Sequence, residues 1–227
     1  MTFLVRVAVF GTAMFVGGAA VAGPVSGKLD LTAATAERPP AATKGWLDRV
    51  ENPLAPARPV NVTSQMIVVL DGAKPSSPGQ VTWELVGESF GHPVMGAPAG
   101  AEVLIKNLSG TARTLIAAED PKLIPAGPLN PKGSKSFRTT EANKIYTVSD
   151  SEAVHLKGKL VVVDSQYVTT VDEGGKFEFG EVAEGSYKLR IFYKDGWLDG
   201  TTDVVVGAKG KTEVNPKVPA LTASAKK

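Results

Sequence analysis

Between Gln65 and Val206 the chain is cut into short apolar or alternating segments by Gly, Pro, Asn and Ser, and no stretch of ten or more residues keeps a helical period. That spacing limits the fold more than any other feature. Met66 to Leu70 ends at Asp71-Gly72, and Val81 to Val86 places Val81, Trp83 and Leu85 on one face. Further candidate strands are Glu102 to Lys106, Arg113 to Ala117, Ser134 to Thr139 and Lys144 to Val148. Short strands at such intervals predict an all-β protein, an antiparallel sandwich or barrel.

A second set of strands begins at Leu156 to Asp164, where Leu160-Val161-Val162-Val163 is apolar on both faces and therefore expected to be central in its sheet. Tyr167 to Asp172, Lys176 to Phe179, Ser186 to Tyr193 and Thr201 to Val206 follow. Phe177 and Phe179 share a face, as do Tyr187, Leu189 and Ile191. The linear reading gives one β-sandwich over 65–155, a second β module over 156–207 and a flexible tail over 208–227. Residues 23–64 read as an N-terminal strand and a Pro/Ala-rich connection, since Pro39, Pro40, Pro53, Pro56 and Pro59 disallow a long helix or a central strand.

The first 22 residues read as a cleavable secretory signal. Arg6 precedes the apolar run Val7 to Val16, and Ala20-Val21-Ala22 supplies a small-x-small cleavage site, with the cut expected after Ala22. The run is short for the roughly 20 apolar residues of a membrane span, so no integral span is expected in the mature chain, and the destination is periplasmic or secreted. The chain has no cysteine. Export would permit disulfides, yet none can form, and lipid attachment at a mature N-terminal Cys is impossible. Loss of Arg6 leaves the basic residues one ahead of the 23 acidic ones. That balance gives no electrostatic case for nucleic acid.

The stretch Val168 to Tyr193, with Thr170-Val171-Asp172-Glu173-Gly174-Gly175-Lys176-Phe177-Glu178-Phe179 and Val182-Ala183-Glu184-Gly185-Ser186-Tyr187-Lys188-Leu189, resembles the carboxypeptidase regulatory-like, transthyretin-like β module. Upstream, Phe90, Pro98, Gly100, Val103, Ile105 and Asn107, with Pro128 to Phe137 as a later strand entry, resemble the cupredoxin pattern. The combined order is similar to cupredoxin-like proteins of the methylamine utilization type. The resemblance implies two sandwich modules and, for the first, the position of a copper site. Blue copper needs a thiolate and two imidazoles. Where the resemblance places the first histidine the chain has Arg113, and where it places the Cys-His-Met loop it has Asp150, Ala153 and Leu156. Type 1 copper chemistry is excluded by the lack of Cys, and no cofactor is expected.

Other chemistries are weakly represented. His92 and His155 are the only histidines, and with Met95 or Asp150 they could ligate copper or zinc. A turn role for His92 before Pro93 and a strand-start role for His155 are the simpler readings. Gly87-Glu88-Ser89-Phe90-Gly91 spells a nucleophile elbow, but His92-Pro93, Gly96 and Pro98 forbid the helix that must follow Ser89. Gly207-Ala208-Lys209-Gly210-Lys211-Thr212 is too short between its glycines to wrap phosphates. The loop Asp195-Gly196-Trp197-Leu198-Asp199-Gly200 carries the best binding candidates: Trp197 to stack on a sugar ring, with Asp195 or Asp199 accepting hydroxyl hydrogen bonds. The alternative is that Trp197 folds back to cap the sandwich. The expectation is an exported, non-catalytic binding or scaffolding protein with a protein or glycan partner. The competing class is a metal or redox accessory protein with a residual site at His92 and His155.

Overall fold

The two-residue periodicity of the candidate strands becomes the two faces of real sheets in the computed structural model, which describes residues 23–31, 62–76, 78–208, 210–219 and 221. The expected signal peptide and Trp46 lie outside the described residues. In chain order the strands are β1 (Gly23–Lys28), β2 (Met66–Asp71), β3 (Gln80–Val86), β4 (Ser89–Phe90), β5 (Val94–Pro98), β6 (Glu102–Asn107), β7 (Leu115–Ala117) and β8 (Ser134–Arg138). They continue with β9 (Ile145–Asp150), β10 (Lys157–Val163), β11 (Tyr167–Thr170), β12 (Lys176–Val182), β13 (Gly185–Tyr193), β14 (Gly196–Trp197), β15 (Thr202–Val206) and β16 (Thr212–Glu213). A 3-10 turn, Thr63–Gln65, leads into β2. Among the described residues, no helix is long and apolar enough to cross a membrane.

The protein is all-β and made of two sandwiches. In the first, the sheet β4-β3-β6-β8 faces the sheet β5-β10-β9-β7. Trp83, Leu85, Val103, Ile105 and Phe137 from one meet Ala97, Tyr146, Val148, Leu160 and Val162 from the other. The pairings β3 with β6 and β5 with β10 are parallel, so the sandwich is mixed rather than purely antiparallel. In the second, β11-β2-β13-β14, with β15 also paired to β13, faces β12-β1-β16. Val68, Leu70, Leu189 and Ile191 there pack on Val25, Phe177 and Phe179.

A third apolar cluster joins the two sandwiches. Ile67, Val69 and Phe192, on the outer face of the second, meet Val94, Val161 and Val163, on the outer face of the first. Four sheets are thus stacked with three apolar layers between them. This accounts for strands that are apolar on both faces: β2 is buried at Met66, Ile67, Val68, Val69 and Leu70, and β10 at Leu160, Val161, Val162 and Val163. At the junction the backbones come close. A Cβ on Gly96 would lie 2.2 Å from Val168 Cγ2, so only glycine fits where β11 crosses β5.

The pairing corrects the linear division at 65–155 and 156–207. Strand β10 belongs to the first sandwich, between β5 and β9, whereas β2 belongs to the second, between β11 and β13. The N-terminal strand β1 pairs with β12 and completes the second core. The stretch expected to be a flexible tail also joins it: β16 pairs with β1, and Val218 and Leu221 are buried. Burial is the physical reason, since a buried aliphatic side chain stabilises the fold by roughly 1.5–3 kcal/mol.

Candidate functional site

Three of the places where polar side chains gather among the described residues bear on the expected site residues. The first is the end of the first sandwich where the cupredoxin resemblance implies copper. Arg113 enters from just before β7, its backbone bridged to Leu129, and its Nη1 lies 3.5 Å from Oδ2 of Asp150 at the end of β9. Both are largely out of solvent, at 10% and 2% side-chain exposure. Asp150 Oδ1 also accepts a hydrogen bond from the Glu152 backbone N–H at 2.9 Å. Glu88, exposed in the β3–β4 turn, lies 3.9 Å from Arg113 and 3.4 Å from His155 Nε2. Beside them Asn107 is fully buried, donating to Thr111 O and Leu129 O and accepting from Ser109.

These residues do not fit copper. A permanently charged guanidinium repels a cation, Asp150 is engaged by that guanidinium, and Leu156 is in the core. No group of three or more His, Asp or Glu among the described residues could hold a metal ion. His155 and His92 enter different groups. His155 is exposed and faces Glu88. His92 instead borders a groove of about 440 Å³ with Glu84, Met95 and Thr169, and its carbonyl accepts the Trp83 indole N–H at 2.8 Å. Ser89 starts β4 in a tight hairpin with β3, and the next element is strand β5, so no helix presents its hydroxyl.

The second place is the β13–β14 hairpin. Trp197 folds back: its ring meets Phe192 edge-on at 5.3 Å, and the Arg190 guanidinium lies 4.1 Å from the ring centroid. Arg190 is in turn paired with Asp71 on β2. Asp199 points elsewhere, bordering a small depression of about 90 Å³ beside Thr201 and Lys217. The structure therefore does not bring Trp197, Asp195 and Asp199 together.

Asp195 belongs to the third place, a groove of about 260 Å³ where the seam between the sandwiches reaches the surface. Lys157 and Lys159 of β10, Thr147 of β9 and Lys194 and Asp195 of the hairpin turn line it, over Pro93 and Val94. Asp195 forms an ion pair with Lys159 and so ties the hairpin tip to the first sandwich. Thr147 donates to the Glu119 carboxylate through its backbone N–H at 2.6 Å and its hydroxyl at 2.8 Å. Burial pushes the Glu119 pKa up, but these two hydrogen bonds, with Lys159 nearby, outweigh it and hold the carboxyl below its ordinary value. Sequence reasoning singled out Asp195 but not the lysines, whose convergence depends on pairing between strands far apart in the chain.

Residues 138–214 match the family model described as polysaccharide lyase family 4, domain II. No curated protein matches the chain. Among solved structures, a reduced amicyanin variant is 14% identical, with a TM-score of 0.33 over 42% of this chain and 97% of its own. An oxidised amicyanin variant is 15% identical, with a TM-score of 0.32 over the same shares. A purple cupredoxin from Nitrosopumilus maritimus is 15% identical, with a TM-score of 0.33 over 36% of this chain and 98% of its own.

Proposed function

We propose that this chain is an exported, non-catalytic recognition protein of the cell envelope whose partner is a polysaccharide. The observation that carries the reading is the match of residues 138–214 to domain II of a polysaccharide lyase, a stretch that includes β9 to β15. Two features of the molecule support a binding role. At the end of the first sandwich the Arg113–Asp150 pair and the Asn107 network engage these polar groups with one another. The polar groove at the seam is built from elements of both sandwiches.

Affinity electrophoresis of the purified mature protein through gels holding neutral or acidic polysaccharides tests this reading. Retardation by at least one polymer is expected. Unchanged mobility in all of them would remove the polysaccharide reading and leave a protein partner as the alternative. Stoichiometric copper or zinc in the purified protein, lost on changing His92 or His155, would instead favour the metal or redox accessory reading.

A further inference from the structure

We infer that the open edge of β3, from Gln80 to Glu84, is a strand-addition site for an extended polypeptide segment of alternating apolar and polar residues with a cation on its polar face. It is a second recognition surface, apart from the polysaccharide one, and its partner is a protein.

A strand in a sheet turns the backbone groups of alternate residues to opposite edges. Glu102 N–H donates to Gly79 O and Leu108 N–H to Leu85 O. The odd-numbered residues of β3 therefore serve β6, and Gln80, Thr82 and Glu84 turn their groups away from it. On that side β4 pairs with Leu85 and Val86, and Gly91 N–H reaches Glu84 O. Beyond it, among the described residues, the N–H and C=O of Gln80 and Thr82 and the N–H of Glu84 have no backbone partner. The edge is held in place, since Trp83 stacks on Phe90 at 4.0 Å and its indole N–H donates to His92 O. On the facing wall Lys159 N–H donates to Pro93 O and Ala99 N–H to Val163 O. By the same alternation Gly96 of β5 turns its N–H and C=O away from β10. Thr82, Glu84 and Gly96 line one groove of about 440 Å³, together with Met95 and Val168.

Edges of sheets are ordinarily blunted by shortness, lysine or proline. Strands β4 and β7 have two and three residues, β8 carries Lys135, and β5 follows Pro93 and ends at Pro98. From Gln80 to Glu84, β3 has neither lysine nor proline and pairs with β6 in continuous register. What such an edge complements is another extended backbone, the basis of strand addition. A strand laid there repeats the alternation of β3. Its side chains on the Val81 side enter the groove against Met95 and Val168. Those on the other side stand in solvent beside the exposed Glu84 carboxylate, which favours lysine or arginine opposite it. A second copy of this chain does not fit the same edge. With Thr82 opposite the Thr82 of an antiparallel copy, the copy's Gly79 would stand opposite Leu85, a place that Phe90 already holds.

Isothermal titration of the full mature chain with the end-capped peptide Thr-Val-Lys-Val-Thr-Val-Lys, and with two N-methylated forms of it, tests the site. One form is methylated at every Val nitrogen, the other at every interior Thr and Lys nitrogen. Saturable binding of the parent peptide is expected. One methylated form and not the other should bind about tenfold more weakly, because alternate N–H groups face opposite edges. Thr82→Pro, which removes an N–H that β6 does not use, should also weaken binding about tenfold. Glu84→Lys should turn the preference to the counterpart peptide with Glu in place of Lys. Amide exchange followed by NMR reads the edge itself in the wild-type chain: the Thr82 N–H should exchange fast alone and slowly with the parent peptide, whereas the Trp83 N–H is slow in both. No binding, equal affinity of the two methylated forms, unchanged affinity of a folded Thr82→Pro variant, or a Thr82 N–H already protected in the free chain would overturn the site. A concentration-dependent dimer of the free chain that Thr82→Pro disperses would overturn the peptide as occupant and give the edge to a second copy.

Discussion

Arg113 and Asp150 form an ion pair 3.5 Å long at the end of the first sandwich, with the Asp150 side chain only 2% exposed. A pair so placed is held against a desolvation cost, and removing one partner leaves the other charged and uncompensated. Arg113→Ala is expected to cost about 3–5 kcal/mol by urea unfolding. The paired replacement Arg113→Met with Asp150→Asn, which keeps a side-chain acceptor for the Glu152 N–H, should recover most of that loss. If the single and double variants lose the same stability, the pair is not coupled as described.

The seam between the sandwiches depends on Gly96. A methyl at this position would meet Val168 Cγ2 at 2.2 Å and Ile67 Cδ1 at 3.0 Å, and both neighbours are themselves packed in the junction. Gly96→Ala should therefore destabilise by about 1–3 kcal/mol, the usual cost of overpacking. Gly180→Ala, where a Cβ meets nothing, is the control and should change little.

Much of the fold is legible in the sequence because alternation reports which face a residue takes. Val81, Trp83 and Leu85 do share the core face of β3, Phe177 and Phe179 that of β12, and Tyr187, Leu189 and Ile191 that of β13. Leu160 to Val163 is central and apolar on both faces, as its run of aliphatics implies. Partner choice is another matter. Nothing local tells β2 to pair with β11 and β13, about a hundred residues downstream, because a strand apolar on both faces satisfies any buried slot. Strand β5 escapes notice since Pro93, Gly96 and Pro98 disguise it. Proline is tolerated because β5 is an edge strand, and Gly96 is there for the close crossing of β11. Of the candidate site, Asp195 is visible in a polar turn, but Lys157 and Lys159 gain meaning only once β10 is placed beneath the hairpin.

Trp197 acts through packing in this structure. Its contacts with Phe192 and Arg190 contribute roughly 0.5–1.5 kcal/mol as an aromatic pair and about 0.5–1 kcal/mol as a cation–π contact, beyond the area it buries. Trp197→Ala should lower stability by about 1–3 kcal/mol in thermal or urea unfolding. A variant as stable as the wild type, but defective in polysaccharide binding, would return the indole to the role of a sugar platform.

Glu119 gives the groove an acid-side signature. Its folded-state pKa is depressed, so the stabilisation it contributes is complete above the ordinary value of about 4.3 and is lost as pH falls through the folded value. Thr147→Val removes the hydroxyl donor and should make the decline in stability below about pH 4 shallower. Chemical denaturation of wild type and variant across that range measures the difference, and identical slopes would detach Glu119 from the linkage.

The central claim, recognition of a polysaccharide without turnover, is tested most directly by one measurement. The mature protein is titrated against the polymer that retards it most strongly, and the polymer's chain length is followed by size-exclusion chromatography through prolonged incubation. Saturable binding is expected, with the length distribution unchanged. Shortening of the polymer that tracks with protein concentration, or the lack of a saturable isotherm, would contradict it.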